Sequence, residues 1–150
     1  MATFNIFEGL KKSERDRVVG SGAIRPLDRA KPLFHKGDVG HEMYVVLTGK
    51  IHIVDLYGTE EKILAELGPG EVFGEMAMFE KQHKRSASAV AKEPSQVLVI
   101  SREIMNKLLD KKMPEQFLTN IITTLCHRLR LTNSMYMRAK YGAYPTDNKQ

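Results

Sequence analysis

The chain has 150 residues, 27% charged and 42% hydrophobic, which fits one soluble globular domain able to bury roughly 70% of its unfolded surface without disulfide or metal staples. The formal net charge of +5 would suit a polyanion, but the positive residues are scattered (Lys11-Lys12, Lys111-Lys112, Arg128, Arg130, Arg138) and no basic stripe interleaved with aromatics excepts them from an ordinary solvated surface, so no nucleic-acid partner is expected. The N-terminus lacks the basic and apolar regions of a signal peptide, and apolar runs such as Met43-Tyr44-Val45-Val46-Leu47 are too short for a membrane span, so the expectation is a cytoplasmic protein with no membrane partner.

The first twenty residues read as helix: Phe4, Phe7 and Leu10 recur at spacing three, and Ser13-Glu14-Arg15-Asp16 resembles a capping box. From Ala23 the texture changes to short β-rich runs: Ile24–Leu27, Pro32–Phe34, Met43–Thr48, Lys50–Asp55, Lys62–Leu67, Arg85–Ala91 and Gln96–Ile100. Turn chemistry separates them at Lys36-Gly37-Asp38, Gly49, Tyr57-Gly58-Thr59, Gly68-Pro69-Gly70 and Lys92-Glu93-Pro94. This rhythm predicts a mainly β fold with flanking helices, a sandwich or jelly roll. Glu75–Glu80 lacks alternation and predicts a short helix inside the β region.

After Ile100 the pattern is helical again. Ser101 can cap a helix running to about Lys112, and Pro114 suits the first turn of another. The last helix carries Leu118, Ile122, Leu125, Leu129, Thr132 and Tyr136 at spacings of 4, 3, 4, 3 and 4. That seam fits either packing on the chain's own sheet or a coiled-coil homodimer. The single cysteine, Cys126, excludes an intrachain disulfide and reads as a small buried hydrophobe of this helix. The domain is expected to span residues 1–140, with 141–150 a polar, disordered tail.

One constellation carries chemistry. Phe73-Gly74-Glu75-Met76-Ala77 is followed, ten residues after the glutamate, by Arg85-Ser86-Ala87. Gly74 lets a ligand approach the main chain, and the helix start after it offers backbone amides to an anion. Arg85 supplies a forked cation for phosphate oxygens, and Ser86 a hydroxyl donor. A carboxylate repels phosphate, so Glu75 should face neutral hydroxyls such as those of a ribose. Ala87 and Ala89 leave room beside the strand. In isolation Glu75 and Arg85 describe a structural salt bridge; together with the glycine and the β frame they describe a cradle for a compact, singly charged sugar phosphate.

These residues resemble the cyclic-nucleotide-binding domains over about residues 5–138. Phe73-Gly74-Glu75 with Arg85-Ser86-Ala87 is similar to that family's phosphate-binding cassette. Phe34-His35-Lys36-Gly37-Asp38, the run Glu42–Lys50 and Leu67-Gly68-Pro69-Gly70 resemble its strand-pair and turn signatures. The resemblance implies a β jelly roll (double-stranded β-helix) with an N-terminal helix and two C-terminal helices. It assigns Glu75 to the ribose 2′-OH and Arg85 to the cyclic phosphate, with the amides near Gly74, Met76 and Ala77 and the Ser86 hydroxyl completing the phosphate shell. Arg128-Leu129-Arg130-Leu131-Thr132-Asn133 further resembles the dimerisation helix of bacterial catabolite activators, where a Thr-Ser pair reaches adenine across the dimer. Thr132 is retained and Asn133 replaces the serine.

The expected function is a receptor for a cyclic nucleotide, cAMP before cGMP, acting on a separate and unidentified protein effector as its last helix moves over the pocket. No DNA-reading module is expected, since the sequence ends about twelve residues after Arg138. Two alternatives remain. One is a degenerate domain that mediates protein contacts and binds no nucleotide. The other is a metal-dependent cupin enzyme, for which the five histidines (His35, His41, His52, His83 and His127) show no metal-ligand spacing. The expectation is therefore no enzyme activity, no cofactor and no metal.

Overall fold

A computed structural model describes residues 5–110 and 115–142. In chain order the elements are α1 (Lys12–Ser21), β1 (Ala23–Leu27), β2 (Pro32–Phe34), β3 (Glu42–Thr48), β4 (Ile51–Tyr57), β5 (Glu60–Leu67), β6 (Val72–Phe73), α2 (Glu75–Phe79), β7 (Ser88–Ala91), β8 (Ser95–Ser101), α3 (Arg102–Asp110) and α4 (Glu115–Tyr141). The strands form two antiparallel four-stranded sheets, ordered β1-β8-β3-β6 and β2-β7-β4-β5, the predicted jelly roll. No described helix is long and apolar enough to cross a membrane.

The apolar run Met43–Val46 is continuous because both faces of β3 are buried. Met43 and Val45 point toward the helices, with Leu98 and Ile100 of β8, and meet Ile6, Val18, Met105, Phe117 and Ile121. Tyr44 and Val46, with Val97 and Val99, point between the sheets and meet Ile51, Leu67, Phe73, Ala89 and Ala91. The sheet of β3 and β8 is thus the middle layer between helices and outer sheet. β6 has only two residues, too few for alternation to reveal, and was absent from the predicted strands. The strand expected from Arg85 begins at Ser88, since Arg85–Ala87 belong to the loop before it.

Two local devices matter for the site. β4 and β5 join through Gly58-Thr59 between the paired residues Tyr57 and Glu60, a two-residue hairpin loop with Gly58 at φ 65°. Further down, Ile53 faces Ala65 while Val54 faces Ile63, so Leu64 is the extra residue of a β-bulge.

At the N-terminus the helix is shorter than predicted. Residues 6–9 form a turn, and α1 begins after Lys11, whose N–H donates to the Glu14 carboxylate at 2.9 Å. The capping partner of Glu14 is therefore the Lys11 backbone rather than Ser13. Ser101 does cap α3, its hydroxyl accepting from the Ile104 N–H at 3.1 Å. Phe4, Lys111, Lys112, Pro114 and residues 143–150 lie outside the described residues, so the expected start at Pro114 and most of the expected tail do too. The tail expectation took in Tyr141, which ends α4.

α4 presents two apolar stripes one residue apart. Phe117, Ile121 and Thr124 pack inward. Asn120 fixes the helix to the N-terminal turn by donating to the carbonyls of Ile6 and Glu8, at 2.9 and 2.7 Å. The seam found in the sequence is the outer stripe. Ile122, Leu129 and Tyr136 are 59%, 61% and 57% exposed, so that seam does not pack on the chain's own sheet; only Leu125 leans on the core. Cys126 is exposed as well, because it follows Leu125 round toward solvent, which corrects the expectation of a buried thiol.

Candidate functional site

A cavity of about 300 Å³ opens between α2, the loop before β7, the β4–β5 hairpin and α4. That is the lower end of the range for small-molecule sites. Phe73, Gly74, Glu75, Met76, Ala77, Arg85, Ser86, Ala87 and Thr132 all line it. Of the residues singled out in the sequence, Ala89 and Asn133 are not among the lining residues: Ala89 is buried between the sheets, and Asn133 sits on the exposed side of α4, one residue round from Thr132. Phe34, Leu64, Leu67, Arg128, Leu131 and Met135 complete much of the wall.

Gly74 makes the geometry of the cassette possible. It precedes α2 at φ 77°, a left-handed backbone that favours glycine. A Cβ there would lie 2.9 Å from Arg85 Nη1 and 3.1 Å from the Tyr44 ring. Bare backbone thus lets the arginine close on the start of α2.

Arg85 is 5% exposed. Its Nη1 donates to the carbonyls of Glu42 and Gly74, each at 2.9 Å. Its backbone is pinned too: the Arg85 N–H donates to the Asp38 carbonyl and the Arg85 carbonyl accepts from the Gly37 N–H, both at 2.8 Å. The guanidinium lies 4.3 Å from the centroid of the Phe34 ring and 5.4 Å from that of Tyr44. Burial first, and then the Glu42 carboxylate to which its hydroxyl donates, push the Tyr44 phenol above its ordinary pKa, so it stays protonated at neutral pH.

Glu75 is 8% exposed and does not pair with Arg85. Its cation is Arg128 of α4, whose Nη1 lies 3.7 Å from Glu75 Oε1 and whose Nη2 donates to the Val72 carbonyl. Sequence reading took Arg128 for scattered surface charge. The signal that could have found it is its position four residues before Thr132, on the same helix face. Thr132, which lines the cavity, donates its hydroxyl to the Arg128 carbonyl at 2.9 Å, which leaves its oxygen able to accept. Ser86 is exposed and its hydroxyl makes a weak 3.8 Å contact to the Met76 sulfur.

The site therefore divides by chemistry. One wall holds a buried cation bonded to neutral carbonyls. Next to it is a carboxylate balanced by a second arginine. The rest is mostly aliphatic, from Ile53, Leu64, Leu67, Leu131 and Met135. Among the described residues, no three His, Cys, Asp or Glu side chains are placed to hold a metal ion.

Comparison with known proteins gives the family of the fold. The family model described as "Cyclic nucleotide-binding domain" matches residues 24–112. The "Cyclic AMP receptor protein" of Thermus thermophilus is 37% identical over 126 residues, covering 83% of this chain and 57% of that protein. The crystal structure of the Thermus thermophilus catabolite activator protein superposes with a TM-score of 0.75 at 36% identity, over 85% of this chain and 59% of that one. A cyclic nucleotide-binding domain from Methylobacillus flagellatus gives a TM-score of 0.77 at 26% identity, over 92% and 79% of the two chains. The chain spans less than two thirds of the curated Thermus relative. With the family model covering more than half of its length and the jelly roll reproduced, this chain belongs to the cyclic nucleotide-binding domain family.

Proposed function

We propose that the chain is a cyclic-nucleotide receptor, with cAMP favoured over cGMP, and that it acts on a separate protein effector through movement of α4. The observation that carries this reading is Arg85. A guanidinium 5% exposed and bonded to neutral carbonyls keeps its charge without a carboxylate on it. A buried cation so placed favours an anion beside it. The cavity next to it is compact and carries a second, opposite charge at Glu75. A cyclic phosphate on Arg85, with the Met76 and Ala77 amides and Ser86 around it, places the ribose 2′-OH toward Glu75. Arg128 screens Glu75 from the phosphate.

Thr132 supports adenine. Its oxygen is left as an acceptor, which suits the 6-amino group of adenine and not the 6-oxo group that guanine carries there, and the neighbouring Leu64, Leu131 and Met135 offer no further polar group to a guanine edge. The name of the Thermus relative points the same way. α4 supplies both Thr132 and Arg128, so ligand contact and helix position are coupled, provided the two states differ in affinity. The exposed seam Leu118–Tyr136 supports a parallel homodimer of α4, in which Asn133 would face the partner's nucleotide.

Calorimetric titration with cAMP, cGMP, 2′-deoxy-cAMP and a cyclic dinucleotide tests the reading. Tightest binding of cAMP, with weaker binding of the 2′-deoxy compound, is expected. Heat from none of the mononucleotides would leave a scaffold without ligand; equal binding of cAMP and 2′-deoxy-cAMP would remove the role of Glu75. Thr132→Ala should change the cAMP/cGMP ratio, and an unaltered ratio would reduce Thr132 to packing.

A further inference from the structure

Arg85 sits in a loop, yet its guanidinium is fixed from several directions. Two carbonyls take Nη1, and the rings of Phe34 and Tyr44 lie 4.3 and 5.4 Å from its central carbon. Those rings are themselves stacked, 5.8 Å apart with a 30° interplanar angle. Phe73 backs both, at 6.2 Å from Phe34 and 5.2 Å from Tyr44. Tyr44 is 3% exposed, and its hydroxyl donates to Glu42 Oε2 at 2.9 Å, which ties the far end of the ring to the strand that also offers its carbonyl to Arg85. On a further side, a Cβ at Gly40 would come within 2.4 Å of Arg85 Nε, so any side chain there would displace the guanidinium. A long, rotamer-rich side chain is thereby ordered by the protein itself, and an anion need not supply that ordering.

We propose that Phe34 and Tyr44 are positioning residues for Arg85: their stacked rings hold the guanidinium in the orientation that a phosphate requires, and nucleotide affinity depends on them through Arg85. The proposal rests on the receptor reading above. The negative faces of the rings attract the guanidinium, whereas an aliphatic side chain of similar volume would fill the space without orienting it. Tyr44 is not among the cavity-lining residues, which places its action behind the arginine. Phe34 does line the cavity, so direct packing on a ligand is the rival role.

A double-mutant cycle separates the two. Phe34→Leu and Arg85→Lys are titrated with cAMP singly and together, by NMR so that weak affinities are read. Positioning predicts that Phe34→Leu weakens binding about 3- to 30-fold in the native background. In the Arg85→Lys background its effect should fall below about two-fold. Equal losses in both backgrounds would make Phe34 a packing residue and overturn the proposal. A second measurement needs no substitution: in the native chain without added nucleotide, the Arg85 side-chain protons should be shifted upfield by ring currents and its guanidinium should rotate slowly. Random-coil shifts for Arg85 would overturn the proposal even if Phe34→Leu fails to fold. Binding of cAMP with an unshifted Arg85 would remove this inference alone, whereas no binding by the native chain would remove the receptor reading and the inference with it.

Discussion

Arg85 and Glu75 are opposite charges on one small cavity that do not neutralise each other. Each is held by something else: Arg85 by carbonyls and rings, Glu75 by Arg128. Removing Arg128 should therefore be felt at the ligand. Arg128→Met leaves a nearly buried carboxylate beside the phosphate position and is expected to weaken cAMP binding by about 1–2 kcal/mol, measured by calorimetry; an unchanged affinity would make Arg128 a purely structural residue. Gly40→Ala tests the fixing of Arg85 from another side. The new methyl would lie 2.4 Å from Nε, but an arginine tip can move at little cost to the fold. The thermal midpoint should stay near that of the native chain while affinity falls. Unchanged affinity would show that the guanidinium position is not critical. Gly74, Glu75, Arg85 and Ser86 were legible in the sequence because they fall within one short segment whose residue types state their chemistry. Arg128 was not, because the contact that brings it to the site spans 53 residues from Glu75 and depends on how α4 is laid across the cavity.

Among the elements, α4 has the most separate roles. Phe117, Ile121 and Thr124 anchor it, Arg128 and Thr132 face the cavity, and Leu118, Ile122, Leu129 and Tyr136 face outward. Phe117 is fully buried, so Phe117→Ala should destabilise the fold by about 3–5 kcal/mol in denaturant unfolding. Ile122 is 59% exposed, so Ile122→Asp should leave the monomer's helix content intact by circular dichroism and shift a dimer to monomer in sedimentation. A native chain that sediments as a monomer would contradict the homodimer. The heptad spacing in the sequence was real, but two stripes one residue apart carry similar spacing, and periodicity alone does not say which one meets the core. The strands were more legible. β3 and β8 read correctly since a run buried on both faces is apolar throughout, and turn residues marked the end of β3 at Gly49 and the start of β8 after Lys92-Glu93-Pro94. β6 and the bulge at Leu64 were invisible: two residues carry no period, and a bulge is set by the pairing partner.

At the scale of the whole molecule, charge is organised in local networks rather than one field. On the outer sheet, Glu66 accepts from His52 and Lys92, at 2.8 and 2.9 Å, with Lys50 at 3.5 Å. The bond from His52, then that from Lys92, holds the Glu66 carboxyl down at about 2. Because the folded pKa lies below the unfolded one, the ionised form favours the fold. The contribution is present above the ordinary carboxylate range and is lost as pH falls toward about 2. Glu66→Gln removes it, so the difference in thermal midpoint between native chain and variant should be full above about pH 5 and close on acidification. A gap constant across that range would contradict the ion network. Above this, the three layers leave an apolar end and a buried cation lining one cavity, and residues of α4 form part of its wall. In the receptor proposed above, the helix that would move is also a wall of the cavity.

The most direct measurement is calorimetric titration of cAMP into the native chain and into Arg85→Leu. Saturable binding by the native chain, weakened by about 2–5 kcal/mol in Arg85→Leu, is the expected result. No binding by the native chain, or equal affinity of the two, would contradict a phosphate on Arg85.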